Sequence, residues 1–145
     1  MQSSIPNDVS CSSCETVAAF YDAFARGDVD AAISLLTDDI DWYVNGPAPV
    51  AGVYRGKAEV LAFFPRMMGQ YDWTLQVDVV AVLAEGSHAT VRVAERAERP
   101  GDGVAYSGVH AWELRDGRCC RFESLYNDAY TEFWSTRRGE VRTAA

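Results

Sequence analysis

Of the two histidines in this 145-residue chain, one stands where an imidazole could do chemistry. Between Val104 and Leu114, alternate residues put Tyr106, Gly108, His110, Trp112 and Leu114 on one face of a strand. An imidazole held among rings can take or give a proton near neutral pH. The plainer reading is a structural histidine bonded to the backbone. Arg92 lies in the alternating run Thr90 to Ala94. Facing inward it is a buried cation that needs a carboxylate or a ligand oxyanion to answer it, which suggests a keto, enolate or carboxylate ligand. Facing outward it is one more solvated charge. Tyr126 shares a strand face with Phe122 and Ser124, so its hydroxyl can donate to a ligand oxygen or its ring can serve as a wall. Asp128 reads better as a helix cap than as an acid, and His88, beside the turn at Gly86, as an exposed loop residue.

Other chemistries lack their residues. The chain has no GxGxxG, GxxxxGK[ST], GxSxG or HExxH, and no metal-ligand spacing around its two histidines. The four cysteines form a CxxC at Cys11 and Cys14 and an adjacent pair at Cys119 and Cys120. Neighbours on a strand point to opposite faces, so that pair does not converge on a tetrahedral metal. No metal and no cofactor is expected, and the thiols of a chain read as intracellular are expected to be reduced. The 13 Lys and Arg against 21 Asp and Glu leave a net charge of −8, which repels phosphate backbones and anionic lipid surfaces. No apolar run approaches the ~20 residues of a membrane span, and MQSSIPNDVS carries no signal-peptide pattern. The expectation is a cytoplasmic protein without nucleic-acid or membrane partners.

A length of 145 residues suits one domain, and 48% hydrophobic with 12% aromatic residues is enough to bury a core. Residues 1–13 read as a polar leader, 14–134 as the domain and 135–145 as a polar tail. Val17, Phe20, Tyr21 and Phe24 form a helical stripe that stops at Gly27, and Asp28 caps a second short helix. Ile40 to Asn45 alternates as a half-buried strand with Ile40, Trp42 and Val44 on one face and Asp41, Tyr43 and Asn45 on the other. A Pro- and Gly-punctuated loop runs on to Gly56, and a third helix covers Lys57 to Met68. Thr74 to Leu83, His88 to Glu98, Val104 to Leu114 and Arg118 to Tyr126 then read as four meander strands, with a short helix around Tyr130, Phe133 and Trp134. Helices followed by consecutive strands imply an α+β domain whose curved sheet wraps the helices and leaves a hollow for a small molecule.

The order of elements and two phrases, FYDAFARGDVDAAISLLTDDIDWYVNGPAPVAGVYRGKAEVLAFF and HAWELRDGRCCRFESLYNDAY, resemble the SnoaL-like branch of the nuclear-transport-factor-2-like superfamily over about residues 14–134. The resemblance implies an α+β cone: a curved antiparallel sheet around three N-terminal helices. Its members include polyketide cyclases, ketosteroid isomerases, limonene-epoxide hydrolases, scytalone dehydratases and non-catalytic proteins. The isomerase tyrosine and base positions fall here on Phe20 and Val44, and its acidic donor on His110. The hydrolase Tyr and Asn have the spacing of Tyr43 and Asn45, but a gapless count puts Trp42 and Val44 there, and only a one-residue bulge restores the match. Its Arg falls on Arg92 and its two Asp on Ala94 and Ser124.

Two functions from different classes follow. One is a cofactor-independent acid–base enzyme of secondary metabolism acting on an apolar, oxygenated small molecule such as a polyketide or terpenoid by cyclisation, epoxide opening, isomerisation or dehydration. Its expected catalytic residues are His110, Arg92, Tyr43 and Tyr126, in a pocket walled by Phe20, Trp42, Val44, Asn45, Phe64, Tyr106, Trp112, Phe122 and Ser124. The other is a non-catalytic ligand-binding or dimerisation module, favoured by the missing carboxylates. Many relatives of this kind are dimers through the outer sheet face, and Val91 and Val93, read as outward, permit a homodimer.

Overall fold

A computed structural model of the chain describes residues 12–137. Helix α1 (Ser12–Ala25) buries Val17, Phe20 and Ala23, the stripe its spacing requires. It starts at Ser12, inside the segment expected to be leader. The rest of that leader, with Cys11, and most of the expected tail lie outside the described residues. After α1, Gly27 takes a φ of +72°, and Asp28 N–H donates back to Ala23 O at 2.9 Å, closing the helix end. Asp28 Oδ1 then accepts from Ala31 N–H at 3.1 Å and caps α2 (Val29–Ser34).

Strand β1 (Leu36–Val44) includes Thr37 to Asp39, expected as a polar stop, and a short β2 (Gly52–Arg55) lies in the segment expected as loop. Helix α3 (Lys57–Gly69) follows, then β3 (Gln76–Glu85), β4 (His88–Arg99), β5 (Asp102–Arg115), β6 (Arg118–Tyr126) and α4 (Asp128–Ser135). The last four strands are a meander joined by two-residue turns at Gly86-Ser87, Pro100-Gly101 and Asp116-Gly117.

The six strands form one curved sheet in the order β2-β1-β6-β5-β4-β3. It is mixed: β1 lies parallel to β6 and every other pair is antiparallel, which corrects the fully antiparallel sheet expected. A parallel pair needs a long crossover, and everything from β2 to β5 supplies it. The concave face closes on α1 and α3 around a ring cluster in which Trp42 stacks on Phe122 at 3.9 Å and Phe20 meets Trp112 edge-on at 4.9 Å. Such pairs contribute about 0.5–1.5 kcal/mol beyond their area.

Cys14 is disulfide-bonded, against the reduced thiol expected, whereas Cys119 and Cys120 are free. Burial pushes the Cys119 thiol up to about 12, so it stays protonated. Among the described residues no helix is long and apolar enough to cross a membrane.

Candidate active site

The site is built on the concave faces of β4, β5 and β6 and on one turn of α1. On β5 the inward row reads Tyr106, Gly108, His110, Trp112, and in register Glu95 of β4 lies directly opposite Tyr106. Gly108 makes the centre of this row empty. A Cβ there would lie 2.2 Å from the Leu125 carbonyl oxygen and 2.5 Å from Tyr126 Cδ1. Glycine therefore lets the Tyr126 ring reach between Tyr106 and His110. Gly108→Ala is expected to cost about 1–3 kcal/mol, because the nearest clash is with backbone. It should also move Tyr126 off His110, read as a lower unfolding midpoint and a shifted His110 ring resonance. An unchanged midpoint and resonance would mean that Gly108 is not what seats the ring.

Around that gap runs one chain of buried and half-buried hydrogen bonds. Trp112 Nε1–H donates to Tyr21 Oη at 3.1 Å, and Tyr21 Oη is 2.5 Å from His110 Nδ1. His110 Nε2 is 2.8 Å from Tyr126 Oη and 3.3 Å from Glu95 Oε2. Tyr126 donates to Glu95 Oε2 at 2.9 Å, and Tyr106 donates to Glu95 Oε1 at 2.7 Å. Tyr71 and Tyr106 hydroxyls meet at 2.8 Å, and Trp134 Nε1–H donates to Tyr71 at 3.3 Å.

The direction of these bonds follows from what each group can do. Tyr21 already accepts from Trp112, so its own proton goes to His110 Nδ1. Nε2 then carries the imidazole hydrogen and donates to Tyr126, which donates to Glu95. From the other end Trp134 donates to Tyr71, Tyr71 to Tyr106 and Tyr106 to Glu95. Two arms that each begin on an indole thus end on the two oxygens of one carboxylate, and His110 sits in the longer arm. Side chains of His110 and Glu95 are 7% and 4% exposed, so the pair is held away from water.

Burial, first, pushes the hydroxyls of Tyr21, Tyr71, Tyr106, Tyr126 and Tyr130 well above their ordinary 10.0, and the Glu95 charge pushes all five the same way. They are donors, not phenolates. Above pH 10 the unfolded chain releases phenolic protons that the folded chain keeps, so stability is flat below that point and falls as pH rises beyond it. In an alkaline titration these five of the seven tyrosines should ionise in one step together with the loss of far-ultraviolet dichroism. Gradual phenolate formation in a chain that stays folded would contradict their burial.

A cavity of about 60 Å³ has a lining that includes Tyr21, Glu95, His110, Tyr126, Phe20, Trp42, Val44, Phe64, Tyr106, Phe122 and Ser124. At roughly 10–15 Å³ per water by a comparable measure, it holds a few small groups. A groove of about 900 Å³ lies beside it between α1, α3 and the start of β3, and Phe24, Phe64, Leu75 and Val77 form the wall common to both.

Several expected residues lie elsewhere. Arg92 is exposed on the outer face of β4, because Val91, Val93 and Glu95 hold the inward row. It is therefore no buried cation, and Val91 and Val93 are interior rather than outward. Tyr43 faces out, with the Arg121 guanidinium 4.4 Å from its ring centre. Asn45 Nδ2–H donates to Glu123 Oε2 and to the Ser124 carbonyl, away from the cavity. The pairing of Asp41 to Val44 with Arg121 to Ser124 is continuous, and the irregularity in β1 falls earlier, between Leu36 and Asp41, so no bulge turns Tyr43 inward. Trp112 packs behind the lining and caps Tyr21. His110, Tyr126, Phe20, Trp42, Val44, Phe64, Tyr106, Phe122 and Ser124 come together around the cavity.

Sequence reasoning missed Glu95, Tyr21, Tyr71 and Tyr130. The hydroxyl absent at Phe20 comes from the next residue, Tyr21, and the carboxylate absent at Val44, Ala94 and Ser124 comes from Glu95. A signal existed for Glu95: a carboxylate in the same alternating row as Val91 and Val93. Among the described residues, no three His, Cys, Asp or Glu side chains converge as metal ligands.

Residues 17–122 match the model of the SnoaL-like domain, so the chain belongs to the SnoaL-like family. An uncharacterised protein of Mycobacterium tuberculosis is 30% identical over 124 residues, covering 83% of this chain and 95% of its own. A solved NTF2-like protein of unknown function from Burkholderia pseudomallei superposes with a TM-score of 0.77 at 23% identity, over 86% of this chain and 98% of its own. TerC, solved with polyporic acid, superposes with a TM-score of 0.76 at 18% identity, over 85% of this chain and 97% of its own. At those identities the two structures establish the fold.

Proposed function

We propose that the cavity is an acid–base site for an apolar, oxygenated small molecule, worked without a cofactor by His110, Tyr21, Tyr126 and Glu95. The observation that carries the reading is a histidine and a carboxylate 3.3 Å apart, both buried, at the wall of an aromatic cavity. Buried ionisable pairs are costly to maintain, and they concentrate at functional sites. A ligand C–H or O–H bond breaks as its proton passes to Tyr21 Oη, while the former Tyr21 proton moves to His110 Nδ1. Tyr21 ends neutral, as its burial demands, and the imidazolium is held against Glu95. Returning a proton at another ligand atom completes an isomerisation, a dehydration or the closure of a ring. The co-crystallisation of TerC, which shares this fold, with polyporic acid supports a small-molecule site, and a cytoplasmic location belongs to the same proposal.

A second reading, a binding module without catalysis, draws on a different observation. Each hydroxyl of the relay already has its partners, and the cavity is small. The two separate on one experiment: incubation with enones, epoxides and hydroxy-ketones in D2O, followed by mass spectrometry. Deuterium incorporation or product marks an enzyme. Ligand recovered unlabelled and unchanged after demonstrated binding marks a module.

A further inference from the structure

The acid–base cavity holds a few small groups, so a larger ligand must rest partly outside it. Of its lining residues, Tyr21, Phe24, Met67, Val77 and Tyr126 are half-buried and the rest are buried. Phe24 and Val77 also line the groove of about 900 Å³, so the cavity meets solvent on the groove side. The Phe24 and Phe64 rings, with centroids 6.2 Å apart, belong to both walls. The groove itself has the size of a small-molecule site. Its charged lining is answered within the chain: Arg26 pairs with Asp22 at 3.1 Å and Asp28 at 3.3 Å, and Asp78 with Arg96 at 2.6 Å. What is left for a ligand is apolar surface. At the rim stands Trp73, 61% exposed. Asp72 and Trp73 take φ of +52° and +62°, a left-handed pair that glycine adopts at far less cost. Trp73 N–H donates to Met68 O at 2.9 Å and Thr74 N–H to Tyr71 O at 3.1 Å, which holds the turn in place. A strained backbone that presents a large ring to water gains nothing from packing, and such strain collects at binding sites.

We infer that the groove binds the flat, uncharged ring body of the ligand against Trp73, while one small oxygenated end of the same molecule passes Phe24 and Phe64 to reach Tyr21 and His110. The occupant is a small molecule because the groove ends on the wall of the acid–base cavity and its charges are already spent inside the chain. The inference rests on reading the cavity as a ligand site. It adds where the bulk of the ligand lies and which residue selects it.

The test titrates the full chain with naphthalene as the ring body, 2-butanone as the oxygenated end and 2-acetylnaphthalene as both joined. Binding is followed at the Trp73 indole N–H and His110 ring resonances. Naphthalene should move Trp73, 2-butanone should move His110, and 2-acetylnaphthalene should move both. The joined compound should bind about tenfold or more tighter than either part, because its second contact is made within one complex. Trp73→Ala should weaken 2-acetylnaphthalene about tenfold, the scale of a lost aromatic stack, and leave 2-butanone unaffected. Trp73→Phe keeps a ring and should recover most of that loss. Trp73→Gly should bind as poorly as alanine yet unfold no earlier than the wild type, since glycine relieves the left-handed turn. A 2-acetylnaphthalene complex that moves only one of the two resonances overturns the inference, as does unchanged affinity in Trp73→Ala or earlier unfolding of Trp73→Gly. Shielding of Trp73 from water in the ligand-free chain, by a second copy or another segment, overturns it too. If 2-acetylnaphthalene binds as expected but its methyl group gains no deuterium in D2O beyond the uncatalysed rate, the inference stands and the catalytic reading falls. Catalysed exchange into 2-butanone with nothing held at Trp73 does the reverse.

Discussion

His110→Ala lowers the proton-transfer rate on a converted substrate about 10²- to 10⁴-fold, the contribution of a positioned acid–base group. The imidazole joins the two halves of the relay: Nδ1 receives from Tyr21 at 2.5 Å, and Nε2 faces Tyr126 and Glu95. Without it Tyr21 has no acceptor for its own proton, and a proton arriving from the ligand has nowhere to go. Substrate affinity should change far less than the rate, because the groups proposed to bind the ligand remain. Added imidazole should enter the hole left by the ring and restore part of the rate, an outcome that simple loss of structure does not allow. His110→Gln, similar in polarity but unable to carry the proton, should be as slow as alanine and not rescued. A folded His110→Ala protein that turns over at the wild-type rate would remove His110 from the reaction.

Glu95→Ala is expected to destabilise the fold by about 3–5 kcal/mol, the range for breaking a buried ion pair or its equivalent network. Both carboxylate oxygens are acceptors, one for Tyr126 and one for Tyr106, and the imidazole lies beside them. Alanine leaves two tyrosine hydroxyls without their common acceptor, and a cavity beside them that the rings of a stiff sheet cannot close. Glu95→Gln should cost less, about 1–3 kcal/mol, because its NH2 cannot accept from one of the two tyrosines. Urea unfolding measures both, with an unchanged slope showing that the same surface is exposed. A loss under about 1 kcal/mol for Glu95→Ala would show that the two arms do not end on this carboxylate.

Much of this arrangement was legible along the chain. The stripe Val17, Phe20, Tyr21, Phe24, the stop at Gly27 and the Asp28 cap are local, so sequence reads them directly. So are the meander strands, whose turns are two residues long. The face of Arg92 was also legible. A turn of even length pairs odd residues of β4 with even residues of β5, so an inward His110 requires an inward Val91 and Glu95 and an outward Arg92. Tyr43 is the opposite case. Whether it faced in depended on a bulge in β1, and where β1 slips was decided by its pairing with β6, a strand some 80 residues away in the chain.

By itself the sequence determined the alternation and the helical stripes, the placing of His110 among rings, and the family to which the order of elements belongs, since all of these depend on neighbours a few residues apart. The parallel seating of β1 against β6, the Tyr126 ring filling the gap at Gly108, and the meeting of Tyr21 from a helix with Glu95 from a distant strand were decided only by tertiary structure. The reason is physical: hydrogen bonds and packing between residues far apart in the chain depend on how a twisted sheet closes over its helices, and no local pattern encodes that closure.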